Sequence, residues 1–449
     1  MKNTSPSLSV AQRWLIVLAG IAVGFSAGLI YNSGSISSIT FSDEKPEAPR
    51  FQLNKELTNA KSDVEALHPM DAEIERYLKR WEIKGASLAI SRNDSLVYAK
   101  GYGWADEEAQ TPMQPGHMLR IASVSKLLTA VGIMKLVETN RLHLTDHVFG
   151  PDGVLNDTVY TNAVRDKRHF DITVEQLLRH EGGFNNAAGD PMFSTRYVIM
   201  QNHLSTPPTN AQLIAIVLKR RLGYTPGTMH KYSNFGYMLL SQIIERVSHM
   251  PYEEFMKKQV FEPAGCYDLH IAGNYLKDRR EGEVHYYMHG GSEPTYEFNN
   301  SGQKVVKCYG ENDIHSLQGA GGWIASAPEL CRIIASIDLA PELKDVLSEE
   351  SVRTMTTMLP GHQFALGWNV TPANGPWLRT GTLSGTSANV VRFPDGECWV
   401  LITNTSTWRG HGFAQESISV FDRLRKKYAS AIPHRTLWPM SNGTSAKQN

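Results

Sequence analysis

Ser123 and Lys126 are the first residues in this sequence whose types and spacing could do chemistry. They stand in Ser123-Val124-Ser125-Lys126, which opens the strongly helical run LLTAVGIMKLVE. Positions i and i+3 lie on one face of a helix, so the hydroxyl and the amine would be neighbours. A buried lysine with a lowered pKa can take the proton of a serine hydroxyl. The pair therefore predicts a nucleophile and its base; the alternative is an exposed helix start with a solvated lysine.

A second group is Tyr232-Ser233-Asn234, which precedes the apolar helical run GYMLLSQIIERV. A phenol near a lysine can shuttle a proton, and an asparagine amide can hold a substrate carbonyl. Tyr160-Thr161-Asn162 has the same pattern, but it lies in a charged segment with no helix after it. We therefore choose Tyr232 and interpret Tyr160 as a loop residue.

A third group is Arg379-Thr380-Gly381-Thr382, which leads into the strand-like run SANVVRF. A basic residue on a strand edge can hold a substrate carboxylate, and a glycine lets a substrate lie close to the backbone. The N–H of Thr382 could supply a donor to an oxyanion. An ordinary turn with an exposed arginine has the same pattern, so each of the three groups is weak by itself.

The histidines and cysteines are the residues of this sequence that could bind a transition metal. His285 and His289 lie four residues apart with Glu281 another four before them, a helical metal-ligand spacing, but the flanking tyrosines and glycines favour a loop. The sequence therefore predicts no metal site and no cofactor. The cysteines form no CxxC pair, so the sequence predicts no zinc site built on thiolates. A disulfide between Cys266 and Cys308 is a pairing that the sequence allows but does not decide.

The elements that must position these residues form a pattern of strands, helices and strands again. Strand-like runs ASLAIS and SLVYAKGYG follow a helix predicted over 71–81, and FALGWNV, SANVVRF and CWVLITN come late in the chain. Between them the sequence is mostly helical, with capping-box spacing at Thr173 and Gln176 and a helix predicted over 237–247. The pattern predicts one sheet built from both ends of the chain, interrupted by a helical region.

The N-terminal sequence predicts on which side of a membrane the rest of the chain lies. Residues 14–31 form an uncharged run with Lys2 and Arg13 before it, and its eighteen positions span about 27 Å as a helix. The positive-inside bias predicts a cytoplasmic stub over 1–13, a transmembrane anchor over 14–31 and a catalytic part outside the cytoplasm, on the periplasmic or extracellular face. A cleaved signal peptide is the alternative. Residues 32–66 are interpreted as a spacer, 67–430 as the working domain and 431–449 as a tail.

The net charge of the chain indicates which kinds of partner it can bind. Lys and Arg number 45 and Asp and Glu also 45, so the formal net charge is zero. Binding to phosphates needs a basic surplus or patch, so the sequence predicts no nucleic-acid partner.

The three motifs, in this order, resemble the serine β-lactamase and penicillin-binding-protein superfamily, most closely its class C β-lactamase and low-molecular-weight carboxypeptidase/esterase branch. The resemblance extends to stretches such as LRIASVSKLLTA, ITVEQLLRHEGG, PGTMHKYSNFGYMLLSQIIE and GAGGWIAS. The resemblance covers residues 70–425, approximately. Each motif is weak by itself, but the three together form one specific pattern. The fold it implies is α/β (α+β), with an antiparallel sheet flanked by helices and a mostly helical inserted domain.

The resemblance also implies roles for the first two motifs. It implies Ser123 as the acylated nucleophile, Lys126 as its base and Tyr232 as a general base or proton relay. Asn234 would be a ligand of the substrate amide.

For the third motif the resemblance implies substrate binding by Arg379, Thr380, Gly381 and Thr382, with the N–H groups of Ser123 and Thr382 as the oxyanion hole. Arg379 departs from the family's Lys or His, and it cannot exchange a proton near neutral pH. The stretch His180-Glu181-Gly182-Gly183 departs from the family's His-Thr-Ser-Gly, and we interpret His180 as structural because it closes a helix.

The expected function is that of a serine hydrolase that forms a covalent acyl-enzyme with an amide or ester. Its substrate would be a β-lactam, a D-Ala-D-Ala-type peptide or a small ester, and the resemblance implies a small molecule or peptide with a carboxylate. The alternative is a protein that penicillin or a wall fragment acylates without turnover.

Overall fold

A computed structural model describes residues 53–187, 189–291 and 293–438, except for the side chain of residue 411. The predicted stub, the predicted anchor and most of the predicted spacer lie outside these residues, as does the end of the predicted tail. Within the described ranges, no helix is both long enough and apolar enough to cross a membrane.

Most of the α-helices lie between the first two and the last three long strands, as the pattern predicts. In chain order they are α1 (Leu53–Glu56), α2 (Asn59–Ser62), α3 (His68–Arg80), α4 (Ser125–Glu138), α5 (Thr158–Ala163), α6 (Val174–Leu178), α7 (Thr195–Gln201), α8 (Asn210–Leu218), α9 (Asn234–Ser248), α10 (Tyr252–Met256), α11 (Ile314–Leu317), α12 (Ala327–Ala335), α13 (Glu349–Thr356) and α14 (His411–Tyr428).

The strands divide into five long ones at the two ends of the described chain and eight short ones. In chain order they are β1 (Gly85–Arg92), β2 (Ser95–Asp106), β3 (Thr111–Pro112), β4 (Leu119–Arg120), β5 (His270–Ile271), β6 (Tyr287–Met288), β7 (Thr295–Tyr296), β8 (Lys304–Val305), β9 (Trp323–Ala325), β10 (Trp377–Leu383), β11 (Thr386–Arg392), β12 (Glu397–Thr403) and β13 (Thr405–Ser406).

The main sheet confirms the predicted joining of the two chain ends. Its strand order is β10-β11-β12-β1-β2-β3, and each neighbouring pair is antiparallel. In the centre, Leu88 of β1 pairs with Leu401 of β12 on one side and with Lys100 of β2 on the other. Strand β10 lies at the edge of the sheet.

Both faces of this sheet are covered, which explains why β1 is buried almost throughout. On one face, Ile74 of α3 and Phe421 of α14 pack in a cluster with Trp399. The other face belongs to the larger core, which includes Leu128 of α4 and Ile334 of α12. Helix α4 is apolar nearly all round because it runs through the middle of that core.

Local signals predicted several elements well. The helix predicted over 71–81 is α3, and the one predicted over 237–247 is the middle of α9. Thr173 and Gln176 form the predicted capping box at the start of α6. The cysteines Cys266, Cys308, Cys331 and Cys398 are all buried and free.

Two predictions of local structure were wrong. The segment FALGWNV is not a strand: Gly367 has a φ of +85°, and the segment makes only an isolated bridge between Val370 and Leu378. Tyr160 is not a loop residue but lies in α5, where its buried ring packs edge-on against Phe149. In both cases tertiary packing outweighs the local pattern.

The compact body begins before residue 67 and continues after residue 430. Leu53 and Leu57 are buried in the core, and Asn59 donates to the carbonyl oxygens of Gly101 and Met113. Near the other end, the indole of Trp438 donates to the carbonyl oxygen of Asp94 at 2.6 Å.

Candidate active site

Ser123 lies in a 3-10 turn, Ala122–Val124, that runs directly into α4. Ala122 has a φ of +47°, a left-handed conformation that is costly for a residue with a side chain. This bend presents Ser123, which is partly exposed, at the N-terminal end of a buried helix. Backbone N–H groups at a helix start have no partner within the helix, so the surroundings of Ser123 favour negative charge.

Lys126 is fully buried one turn further on, and its Nζ has three acceptors. It lies 3.3 Å from Oγ of Ser123, 2.7 Å from Oδ1 of Asn234 and 2.5 Å from the carbonyl oxygen of Ala320. A neutral amine has two N–H donors and one lone pair. When Asn234 and Ala320 take the two donors, the lone pair is left facing the serine hydroxyl.

The electrostatic surroundings favour that neutral form. Burial lowers the pKa of Lys126, and the positive charge of Arg379 lowers it further, whereas Tyr232 acts in the opposite direction. The net pKa lies below the usual value of 10.5. Lys126 therefore has the environment that a lysine base needs.

Tyr232 completes the contact with the nucleophile, because its phenol donates to Oγ of Ser123 at 2.8 Å. Burial raises the pKa of Tyr232, but the positive charges of Lys126 and Arg379 and the hydrogen bonds outweigh burial, so the net pKa lies below 10.0. Tyr232 as a whole is partly exposed. By contrast, Tyr160 is buried in α5, where its ring packs against Phe149.

Asn234 is the first residue of α9, and neighbouring groups already bind its side chain. Its Oδ1 accepts from Lys126, and its Nδ2 and backbone N both donate to Oδ2 of Asp190, at 3.1 and 2.9 Å. Asn234 therefore orients Lys126 in this structure. The sequence did not single out Asp190: its only local signal is an Asp-Pro step, and Asp190 does cap the turn Pro191–Phe193.

Arg379 lies on β10 and is buried, with 1% of its surface exposed. Its Nε and Nη2 donate to the carbonyl oxygen of Ser123 at 2.8 and 2.6 Å. Within the described residues, Nη1 is buried and has no hydrogen-bond partner. The guanidinium that the sequence assigned to a substrate carboxylate is thus directed at the main chain of the nucleophile.

Gly381 allows β10 to approach the nucleophile closely. A Cβ at this position would lie 2.3 Å from the carbonyl oxygen of Ile121 and 2.8 Å from the backbone N of Ser123. Such distances are far below van der Waals contact, so any side chain here would displace the turn that carries Ser123.

Thr382 faces the cleft through its backbone. In an antiparallel strand, the N–H groups of alternate residues point to the same side. Leu378 N donates to Val370 O and Thr380 N to Asn369 Oδ1, both away from β11. Two residues further on, the N–H of Thr382 therefore lies on the free edge of β10, beside Ser123.

His180 packs against the phenol ring and is buried. Its ring centroid lies 4.3 Å from that of Tyr232 and 4.9 Å from that of Tyr237, and its Nδ1 accepts from Ser233 N at 3.2 Å. Burial holds the pKa of His180 well below its usual value, and the charge of Lys126 acts in the same direction. A neutral ring thus supports Tyr232. From the sequence we interpreted His180 as a structural residue, but no sequence pattern indicated its contact with Tyr232.

His285, one of the residues at metal-ligand spacing in the sequence, lies beside two carboxylates. Asp106, Glu108 and His285 place ligand atoms within 4.8 Å of one another. Asp106 also lies 3.5 Å from a guanidinium nitrogen of Arg279, and Glu108 accepts from the phenol of Tyr287. These contacts give the two carboxylates protein partners.

Comparisons with known proteins concern the family and the fold of this chain. The family described as Beta-lactamase matches residues 70–417. The chain is 26% identical over 355 residues to a protein of Bacillus subtilis named as a penicillin-binding protein, PbpX, across 79% of this chain and 77% of that protein.

Solved structures show the same fold. An octameric penicillin-binding protein homologue from Pyrococcus abyssi aligns with a TM-score of 0.57 and 21% identity, over 80% of this chain and 78% of that one. A D-amino acid amidase from Ochrobactrum anthropi SV3 aligns with a TM-score of 0.58 and 18% identity, over 76% and 91%. Because the family match covers most of its length, this chain belongs to the beta-lactamase family.

Proposed function

We propose that this chain is a serine hydrolase that is acylated on Ser123 by an amide or an ester and then releases the acyl group to water. One observation carries the proposal: Oγ of Ser123 lies within hydrogen-bond reach of both the phenol of Tyr232, at 2.8 Å, and the buried amine of Lys126, at 3.3 Å. A hydroxyl, a base and a second proton carrier in contact are what acyl transfer needs.

In the first step, Nζ of Lys126 takes the Oγ proton while Oγ bonds to the carbonyl carbon. The negative charge that forms on the carbonyl oxygen is stabilised by the N–H groups of Ser123 and Thr382. Arg379 holds the carbonyl end of Ser123 in place during the attack.

In the second step, the phenol of Tyr232 gives its proton to the leaving nitrogen or oxygen as the bond to the carbonyl carbon breaks. The proton on Lys126 then returns to Tyr232 through the hydrogen-bonded groups of the site. Water attacks the acyl-enzyme, the acid product leaves, and the serine hydroxyl is restored.

The D-amino acid amidase among the similar structures acts on an amide, and the sequence implies an amide or ester for this chain as well. Nε and Nη2 of Arg379 both donate to the carbonyl oxygen of Ser123, and Nη1 is buried. We therefore propose that Arg379 acts by positioning the turn that carries Ser123.

The test is to incubate the purified full chain with a fluorophosphonate or a fluorescent penicillin and to locate the adduct by mass spectrometry. We expect labelling on Ser123 and none in Ser123→Ala. Ser125→Ala is the matched control, because the Ser125 hydroxyl is buried and accepts from the N of Trp323. An adduct that persists in Ser123→Ala would place the nucleophile elsewhere.

Turnover separates the hydrolase from a protein that is only acylated. With a short-chain para-nitrophenyl ester, a hydrolase releases many equivalents of nitrophenol for each equivalent of enzyme. Release that stops at about one equivalent would instead favour acylation without turnover.

We also propose that residues 14–31 anchor the chain in a membrane with the catalytic part outside the cytoplasm. The support is the uncharged run itself, with Lys2 and Arg13 before it and no other charge until Asp43. Membrane fractionation of the expressed chain, followed by alkaline carbonate extraction, tests the anchor. Release of the intact chain into the soluble fraction would contradict it.

A further inference from the structure

A cavity of about 610 Å³ is lined by two segments that follow residues of the site closely in the chain. One wall is the segment after Asp190, the residue that binds Asn234. Another wall includes Ser384, which follows Thr382 by two residues. The cavity thus begins within a few residues of Asp190 and of Thr382. Its volume is that of a small-molecule pocket.

Aromatic side chains form much of its lining. Phe193 and Tyr197 come from the segment after Asp190, and Tyr296 and Phe298 come from the region of β7. Three of these rings are unusually open to solvent for their type, with 37% of Phe193, 44% of Tyr197 and 48% of Tyr296 exposed. Exposed rings that converge on a cavity offer apolar surface to a ligand.

Arg196 supplies a cation to this lining. The guanidinium of Arg196 lies 4.6 Å from the ring centroid of Tyr296. In the part of the chain that the structure describes, Nε of Arg196 is buried without a hydrogen-bond partner, and no carboxylate lies within ion-pair distance of the side chain. A buried donor of a charged group that lacks a partner favours binding of an acceptor from a ligand.

The other charges around the cavity do not neutralise Arg196. Lys307 and Glu311 lie 3.7 Å apart and balance each other, and Glu311 also accepts from the hydroxyl of Ser384 at 2.6 Å. Glu297 is turned away and accepts from Tyr275 and Ser301. Two cationic side chains lie over the ring of Tyr296, Arg196 at 4.6 Å and Lys304 at 5.8 Å from its centroid.

We propose that this cavity binds the acyl group of the substrate, and that it selects acyl chains that end in a carboxylate, which Arg196 binds. The inference rests on the proposed acylation of Ser123, and it names the substrate class of that reaction. The aromatic lining contacts the apolar part of the chain, and the guanidinium binds the terminal carboxylate through charge-assisted hydrogen bonds.

The test compares para-nitrophenyl monoesters of adipic and suberic acid with the neutral hexanoate and octanoate esters of the same chain length, on the full chain. We expect kcat/KM to favour the anionic ester of at least one pair by about tenfold, the effect of one charge-assisted hydrogen bond. Arg196→Gln should reduce this ratio about tenfold, and Arg196→Lys, which keeps the charge, should reduce it less. The ratio does not depend on the folded fraction, because both esters are measured on one preparation.

Arg76→Gln is the matched control, since Arg76 lies exposed on α3 and bonds only to its own helix through Ala72 O. It should leave the ratio unchanged. Hydrolysis of both esters of every pair at equal rates, or a preference that survives in Arg196→Gln, would overturn the inference and leave the proposed hydrolase intact. No hydrolysis of any ester, together with no labelling of Ser123, would overturn the proposed function and this inference with it.

Discussion

Arg379 binds the carbonyl oxygen of Ser123 with two donors, Nε at 2.8 Å and Nη2 at 2.6 Å. The two residues are far apart in the sequence, and the contact ties the edge strand β10 to the turn that carries the nucleophile. It also brings a fixed positive charge close to both Lys126 and Tyr232, whose pKa values it lowers.

Replacement of Arg379 by lysine should lower kcat for acyl transfer by about tenfold to a hundredfold, because an ammonium cannot make the two-donor contact that positions Ser123. Steady-state kinetics with a para-nitrophenyl ester gives kcat and KM separately. A positioning role predicts a fall in kcat with KM little changed. A rise in KM alone would instead favour direct substrate binding by Arg379.

The pH dependence of acylation should change in Arg379→Gln. In the native chain, burial and the charge of Arg379 lower the pKa of Lys126, so the neutral amine exists at lower pH than in a free lysine. Removal of the charge raises the pKa values of Lys126 and Tyr232, so the rising limb of the pH–rate profile should move to higher pH. Fluorophosphonate labelling rates over a pH series measure the shift, and an unmoved limb would contradict the electrostatic role.

Tyr232→Phe should lower kcat by about a hundredfold or more, the usual effect of losing one proton carrier. Tyr160→Phe is the matched control, because Tyr160 begins the same Tyr-x-Asn pattern but is buried in α5 against Phe149. Ester hydrolysis by both variants should be compared at equal concentrations of folded protein. Equal activities would remove Tyr232 from the mechanism.

Gly381→Ala should reduce acylation of Ser123 by about a hundredfold, since its Cβ would meet Ile121 O at 2.3 Å and Ser123 N at 2.8 Å. Gly223→Ala provides the control, because a Cβ there makes only ordinary contacts, at 3.5 Å or more, with Asn185. Labelling with a fluorophosphonate at equal protein concentration measures the difference. Full labelling of Gly381→Ala would show that β10 does not hold the turn as closely as the distances indicate.

His180 should make the folded chain less stable in acid. Its folded pKa lies well below 6.5, so as pH falls below that value the unfolded chain binds a proton that the folded chain excludes. Stability from this group is present above about pH 6.5 and is lost below it, by up to about 1.4 kcal/mol for each pH unit. When the pH is lowered from about 7.5 to about 5, the Tm of His180→Asn should fall less than the Tm of the native chain. His143→Asn, at an exposed position, should behave like the native chain.

Much of the site could be predicted from the sequence because its signals are local. Ser123 and Lys126 are three residues apart at a helix start, and helix geometry alone makes them neighbours. Tyr232 was distinguished from Tyr160 by the helix that follows it. The alternation of strand and helix patterns likewise predicted a sheet built from both ends of the chain.

Other features were decided only by tertiary structure, because they depend on contacts between distant segments. The direction of the Arg379 side chain follows from the side on which β10 meets Ser123, and no local pattern specifies that side. The link from Asn234 to Asp190 and the cavity around Arg196 arise where loops of unpredicted conformation pack together. Local sequence determined which groups this protein has, whereas long-range packing determined what each of them touches.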